Sequence, residues 1–303
     1  MQPGVTLIGP VSHDIIRHPD LPERSQTGGA AFYAGMALRA LGVPVHIITR
    51  VAAQDAAALL TPLQKAGARL TVLPSRDTTR FINSYGPGAD ERAQQVYACA
   101  DPFTIEDVQQ LATQWVYMAP LLQGDIETAL LRNIAAQGAH RLALDAQGLL
   151  RRVVDTNVIP ADWPDKYEIL PFIDILKADA EEAELITRQC NPEMAARLLC
   201  GRGVDHALVT LGRHGAILCH RGGLIRQGAF RPSGQAWPVL DTTGSGDTFL
   251  AAYLAGIIAG YPATEAGQFA ATAAALKQTV FGPLRADIPQ ISRLTDLQYR
   301  SGP

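Results

Sequence analysis

Short apolar runs alternate with longer segments of helical period along most of the chain. Val5 to Ile8 is apolar and ends at Gly9-Pro10, which reads as a buried strand. Polar sequence fills Ser12 to Thr27. Gly28-Gly29 then opens a small-residue helix, Ala30 to Leu41, that Gly42 stops. Val45 to Ile48 predicts the next strand, and Asp55 to Ala66 the next helix, stopped by Gly67. This strand–helix–strand–helix order predicts an α/β fold with a central, mostly parallel sheet flanked by helices.

The order breaks between Thr78 and Ala100. Phe81, Asn83 and Tyr85 alternate with other residues, Gly86-Pro87-Gly88 turns the chain, and Gln95 to Cys99 runs back, which predicts a hairpin. With Asp14 to Gln26 it can form a small β-sheet projecting from the main one, although an ordinary surface hairpin fits the same pattern. Alternation then resumes. Strands are expected at Trp115 to Met118, Leu142 to Asp145, Ile173 to Leu176, Ala207 to Thr210, Ala216 to Cys219 and Leu224 to Phe230. Helices are expected at Asp125 to Ala136, Ala180 to Thr187, Pro192 to Leu199, Ser245 to Ala259 and Ala263 to Gln278. The Pro- and Gly-bearing tail after Gly282 is expected to pack loosely. At 303 residues the chain could hold one large α/β domain or two smaller ones.

Charge and composition narrow the function classes. With 26 basic and 29 acidic side chains spread along the chain, nonspecific nucleic-acid binding is disfavoured. No apolar run reaches the roughly 18 residues of a membrane span, and Met1 to Gly9 lacks the marks of a signal peptide. Cys99, Cys190, Cys200 and Cys219 form no C-x-x-C pair and read as reduced thiols in a cytoplasmic protein. There is no H-E-x-x-H, no G-x-x-x-x-G-K-[ST] and no G-x-G-x-x-G after the first strand. Metalloprotease, P-loop and dinucleotide-binding readings therefore lose ground.

The richest chemistry lies in Asp241-Thr242-Thr243-Gly244-Ser245-Gly246-Asp247-Thr248-Phe249. Two glycines flank a serine where a helix is expected to begin. Unpaired backbone N–H groups at the positive end of a helix make an anion site, and glycine lets a phosphate come close. Asp247 falls in the first helical turn beside that site. It could take a proton from an attacking hydroxyl while the amides stabilise charge on a phosphoryl group. The plainer alternative is that Ser245 or Asp247 only caps the helix.

The same stretch resembles the second signature of the ribokinase (PfkB-type) carbohydrate kinase family, D-T-x-G-A-G-D-x-F. Gly28-Gly29-Ala30-Ala31-Phe32-Tyr33-Ala34, running on to Leu41-Gly42, resembles the first. The resemblance covers Val5 to about Gly282. It implies one ribokinase-like domain over residues 1–303 with a small β-lid, segments 13–26 and 78–100. It also implies ATP as donor, magnesium as metal and a small sugar or polyol as acceptor, with no nucleic-acid or membrane partner. By resemblance Asp247 is the catalytic base, and Gly244, Ser245 and Gly246 form the anion hole. Asp14 binds acceptor hydroxyls, with Gly28 and Gly29 beside them. Thr210-Leu211-Gly212-Arg213-His214-Gly215 resembles the T-x-G-x-x-G donor segment, which places Thr210, Gly212, Gly215 and Asp241 with the nucleotide; a plain chain turn would also need those glycines. Lys177-Ala178-Asp179-Ala180-Glu181-Glu182 resembles K-x-N-x-x-E, which assigns Lys177 and Asp179 to the donor and Glu182 to magnesium. The alternative is an acidic helix start that complements the dipole.

Three departures stand out. Tyr33 occupies the place of a sugar-binding asparagine, Asp179 replaces the family asparagine, and Arg50 to Asp55 lacks the glycine of V-G-x-D. The segments Thr79 to Tyr85 and Asp145 to Arg151 resemble an inositol-kinase branch. That likeness implies Arg80, Asn83, Asp145 and Gln147 at the acceptor, where a polyol needs several hydrogen-bond partners. A nucleoside acceptor would want a stacking aromatic such as Phe32, Tyr33, Phe81 or Tyr85. A lapsed relative that only binds nucleotide or sugar is a third option. Lid strands in the family can pair across a homodimer, which the resemblance carries here as well.

Overall fold

The computed structural model of the protein describes residues 2–19, 21–86, 92–108, 111–138, 140–221, 223–231 and 239–299. In chain order the elements begin β1 (Gln2–Ile8), β2 (Ser12–His18), β3 (Leu21–Gly28), α1 (Ala30–Ala40), β4 (Val45–Val51), α2 (Ala53–Lys65), β5 (Arg69–Pro74), β6 (Arg80–Tyr85) and β7 (Arg92–Ala98). There follow β8 (Thr113–Met118), α3 (Thr128–Gln137), β9 (Arg141–Asp145), β10 (Arg151–Val154), β11 (Asn157–Pro160), α4 (Lys166–Ile169), β12 (Ile175–Asp179) and α5 (Ala180–Thr187). The last are α6 (Pro192–Gly201), β13 (His206–Thr210), β14 (Ala216–His220), β15 (Gly223–Gln227), α7 (Ser245–Ile258), α8 (Ala263–Gln278) and α9 (Ile288–Tyr299).

Nine strands form the main sheet in the order β15-β14-β13-β12-β9-β8-β1-β4-β5. Pairing is parallel from β5 to β13, and β14 and β15 close one edge antiparallel. Its central strands are apolar on both faces, as a parallel sheet covered by helices requires. In β8, Trp115 and Tyr117 pack into the core that faces α1, α7 and α8, while Val116 and Met118 pack into the opposite one. The α/β expectation with a mostly parallel sheet is therefore borne out.

A second sheet has six strands, β10-β11-β7-β6-β2-β3. The two expected segments supply four of them. The hairpin β10–β11 was not foreseen; its two-residue loop uses Asp155 at φ 56° and lacks the glycine that usually marks such turns. Of the expected turn Gly86-Pro87-Gly88, Pro87 and Gly88 lie outside the described residues. The edge strand β5 was also missed. The expectation of a loose tail is corrected: α9 packs on α8, with Ile291 fully buried and Thr295 Oγ1 2.9 Å from Thr272 Oγ1. Helix α3 starts later than expected because Asp125 has another task. No helix among the described residues is long and apolar enough to cross a membrane.

That task is to brace the loop after β8. The Asp125 carboxylate accepts the Leu121 and Leu122 amides at 2.8 and 2.9 Å. Burial pushes its pKa from 3.8 up to about 6, against the pull of those amides. A carboxyl whose folded pKa exceeds its unfolded value holds its proton more tightly when folded. Its contribution to stability is therefore full below about pH 4, declines as pH rises to about 6, and is level beyond. Asp125→Asn keeps an acceptor for both amides. It is expected to be more stable than the parent at pH 7 by up to about 3 kcal/mol and to match it near pH 4. Urea unfolding at the two pH values checks this; a difference that does not change with pH would mean that Asp125 does not titrate there.

Candidate active site

The carboxyl ends of the central strands, the first turn of α7 and the inner face of the small sheet enclose a cleft with two lobes, consistent with the rule that ligands sit at strand carboxyl ends in open α/β sheets. The inner lobe has a cavity volume of about 60 Å³ and is lined by Ser12, Asp14, Gly29, Tyr33, Phe81, Gln94, Leu121, Thr243 and neighbours. The outer lobe is far larger, about 710 Å³, with Lys177, Asp179, Thr210, Gly212, Ser245 and Gly246 on its walls. Four residues line both: Gln147, Arg151, Gly244 and Asp247.

The turn into α7 is built on glycine. Gly244 caps the helix at φ 76°, ψ 7°. A Cβ there would stand 2.2 Å from the Tyr33 ring, so the close approach itself demands glycine. The Ser245 amide bonds the Thr242 carbonyl at 3.1 Å, and the Thr248 amide bonds the Gly244 carbonyl at 2.9 Å, so the Gly246 amide lies in the first turn, ahead of the first four-residue helical bond. The Ser245 hydroxyl is buried and, among the described residues, has no hydrogen-bond partner. A second close approach sets Asp14: a Cβ on Gly28 would meet its carboxylate at 2.1 Å. Ser12 Oγ donates to Asp14 Oδ1 at 2.6 Å.

Behind the turn lies a buried network of charge. Lys177 Nζ stands 3.3 Å from Asp145 and 3.8 Å from Glu182, and 3.2 Å from where a Cβ on Gly246 would lie. Burial pulls the Lys177 pKa down, but the carboxylates of Asp145, Glu182, Asp179 and Asp247 outweigh it and hold it above the usual lysine range. Glu182 Oε1 accepts from Arg151 at 3.2 Å, and Glu182 Oε2 accepts the Asp179 amide at 2.8 Å. Asp179 returns the bond to the Glu182 amide at 2.8 Å, which completes a capping box for α5. Burial would raise the Glu182 pKa, yet Lys177 and Arg151 keep it low; burial and the Glu182 charge raise that of Asp179.

The structure brings together Asp14, Gly29, Tyr33, Gln147, Gly244 and Asp247 in the inner lobe, and Lys177, Asp179, Thr210 and Gly212 in the outer one. It sets others back. Asp145 is fully buried on Lys177 and lines neither lobe. Asn83 is buried behind Gln94, whose Nε2 donates to Asn83 Oδ1 at 3.0 Å. Arg80 pairs with Asp55 at 3.0 Å on an exposed flank. Gly215 turns the chain between β13 and β14 at φ 94°, and Asp241 folds back to accept the Thr243 amide at 2.9 Å. The sequence reading missed Ser12, Gln94 and Arg151. Gln94 pairs directly opposite Asn83, so the hairpin register would have revealed it.

The model of the pfkB family carbohydrate kinases matches residues 23–290. The 2-dehydro-3-deoxygalactonokinase of Haloferax volcanii is 32% identical over 133 residues, 43% of this chain and 40% of that protein. The inositol 3-kinase of Oryza sativa subsp. japonica is 26% identical over 276 residues, 86% of this chain and 64% of that protein. The chain thus spans less than two thirds of the length of these curated relatives. A solved pyrophosphate-dependent kinase in the ribokinase family, complexed with a pyrophosphate analog and myo-inositol, superposes with a TM-score of 0.83 at 27% identity, covering 93% of this chain and 97% of that one.

Gly244→Ala forces either the Tyr33 ring or the helix start to move. It is expected to cost roughly 2 kcal/mol or more in urea unfolding. A variant as stable as the parent would mean that the turn and the ring do not press on each other.

Proposed function

The chain belongs to the pfkB family of carbohydrate kinases, and from that membership we propose that it transfers a phosphoryl group to a hydroxyl of a neutral polyol or sugar, inositol being the first candidate. The observation that carries the proposal is the place of Asp247, in the first turn of α7 where the two lobes meet. An acceptor in the inner lobe would present a hydroxyl to Asp247, which takes its proton as the oxygen attacks phosphorus. The phosphorus–oxygen bond to the donor breaks as the new one forms. The first-turn amides, Lys177 behind Gly246 and Arg151 between the lobes balance the charge on the transferred group. Such transfers rest mostly on positioning and electrostatics.

The acceptor is neutral by the same charges. Asp14 and Asp247 face the inner lobe, and among the described residues its one cationic side chain, Arg151, is tied to Glu182. A sugar acid would set its carboxylate against Asp14 with no spare cation to offset it. Ser12, Asp14, Gln94 and Gln147 offer the hydrogen-bond partners a polyol needs. Phe81 and Tyr33 also line this lobe, which keeps nucleosides in any acceptor screen.

ATP with magnesium is the expected donor. Magnesium needs few protein carboxylates because it keeps waters and phosphate oxygens. Asp179, with Glu182 behind it, fits that demand, since the carboxylates Asp145, Asp179, Glu182 and Asp247 outnumber the cations Lys177 and Arg151. Bound there, the metal would neutralise donor phosphates. One observation favours a second donor, inorganic pyrophosphate: among the described residues Leu211 and Ala180 are the main apolar side chains of the outer lobe, and its one ring is the His214 imidazole, with no Phe, Tyr or Trp. That is a thin platform for a base.

A coupled assay across inositols, pentoses, hexoses, sugar acids and nucleosides, with ATP and then pyrophosphate, tests the reading. Turnover of a neutral polyol or sugar is expected; turnover of sugar acids alone would overturn the neutral assignment, and no turnover at all would favour a binding protein. Asp247→Asn is expected to lose turnover by about a thousandfold or more while donor binding survives. Arg151→Gln is expected to lower kcat by roughly a hundredfold, with a small change in acceptor KM. Near-normal kcat in either variant would remove that residue from the chemistry.

A further inference from the structure

Lys277, in the last turn of α8, has no exposed surface and takes no part in the transfer described above. A fully buried lysine is rare unless its charge is met. Its ammonium donates to the Asp241 backbone carbonyl at 2.8 Å and lies 3.3 Å from Asp241 Oδ2. It also stands 5.6 Å from the centre of the Tyr33 ring, the ring against which Gly244 is pressed. The Asp241 carboxylate accepts the Thr243 amide at 2.9 Å and the Gly282 amide at 3.4 Å, and the Leu240 amide bonds the Gln278 carbonyl at 2.8 Å. One cation thus gathers the residues that lead into the first turn of α7. It also cancels a carboxylate that would otherwise set negative charge behind a turn built to receive phosphate.

We propose that Lys277 is a built-in cation that positions the Asp241–Gly244 turn and neutralises Asp241 beneath the anion site, and so acts as a positioning residue for phosphoryl transfer. The proposal rests on the kinase reading. Burial pulls the Lys277 pKa down, while Asp241 and Asp247 oppose the shift, so the ammonium and the site already share one field.

Two variants separate this from a merely structural role. Lys277→Ala leaves a cavity that a small cation can enter, and Lys277→Met fills it with an apolar chain. Both are expected to lose kcat by roughly tenfold to a hundredfold with little change in acceptor KM. Added ammonium or methylammonium is expected to restore much of the loss in Lys277→Ala, none in Lys277→Met, and to leave the parent unchanged. Unchanged kcat in both variants, or a folded Lys277→Ala that no ammonium ion restores, overturns the proposal. Calorimetric binding of pyrophosphate with magnesium reads the anion site without turnover. Affinity weakened about tenfold in Lys277→Met supports the role even if no acceptor is turned over, whereas equal affinity counts against it. Absence of turnover in the parent would sink the kinase reading alone.

Discussion

The ammonium of Lys177 is the point on which the cleft turns. It is carried by β12 of the main sheet and is nearly sealed from solvent. Glu182, at the start of α5, links it to Arg151 at the start of β10 in the small sheet. The two sheets are therefore joined at the cleft by alternating buried charge. Such a network adds little net stability because each ion gives up its hydration, but losing one member leaves its neighbour stranded. Its value lies in geometry: it fixes where the glycine turn into α7, the capping box of α5 and the inner edge of the small sheet stand relative to one another.

Two close approaches fine-tune that arrangement, and each depends on a missing side chain. Gly28 admits the Asp14 carboxylate, and Gly244 admits the Tyr33 ring. Tyr33 stands where the family signature suggested a sugar-binding asparagine. Its hydroxyl is met by Gln26 Nε2 at 3.1 Å and its ring backs the turn, so its part is to shape the lobe. The polar side chains that line the lobe beside it are Ser12 and Asp14 of β2, Gln94 of β7 and Gln147 after β9.

The central sheet was legible because its strands are short apolar runs between glycine-stopped helices. Asp247 and its glycines were legible because they are contiguous. What stayed hidden arises from chain segments that meet only in space. β10 and β11 are four residues each around a turn without glycine, and β5 is a half-exposed edge strand, so neither carries a strong periodic signal. Arg151 follows from that hidden hairpin, and Gln94 from a register that the sequence does not state. Asp145 and Asp241 sit in segments that resemble family motifs, yet both lie one layer behind the cleft wall: one holds Lys177 and the other holds Lys277. A motif names the residues a site needs, but it does not separate those that touch a ligand from those that hold the ones that do.

The balance of charge carries the argument one step further. Around the turn into α7, among the described residues, the carboxylates of Asp145, Asp179, Glu182, Asp241 and Asp247 face three cations, Lys177, Arg151 and Lys277. A polyanionic donor entering alone would meet a site whose fixed charge is already negative, and the amides of one helix end are a modest counterweight, worth roughly 1 kcal/mol in an exposed setting. On the proposed reading, a divalent cation bound to the donor phosphates would lower that barrier, because it reduces their negative charge and is itself attracted to the surplus carboxylates. Site acidity and phosphate binding, which look opposed in the sequence, would on that reading be reconciled by a cation that arrives with the donor.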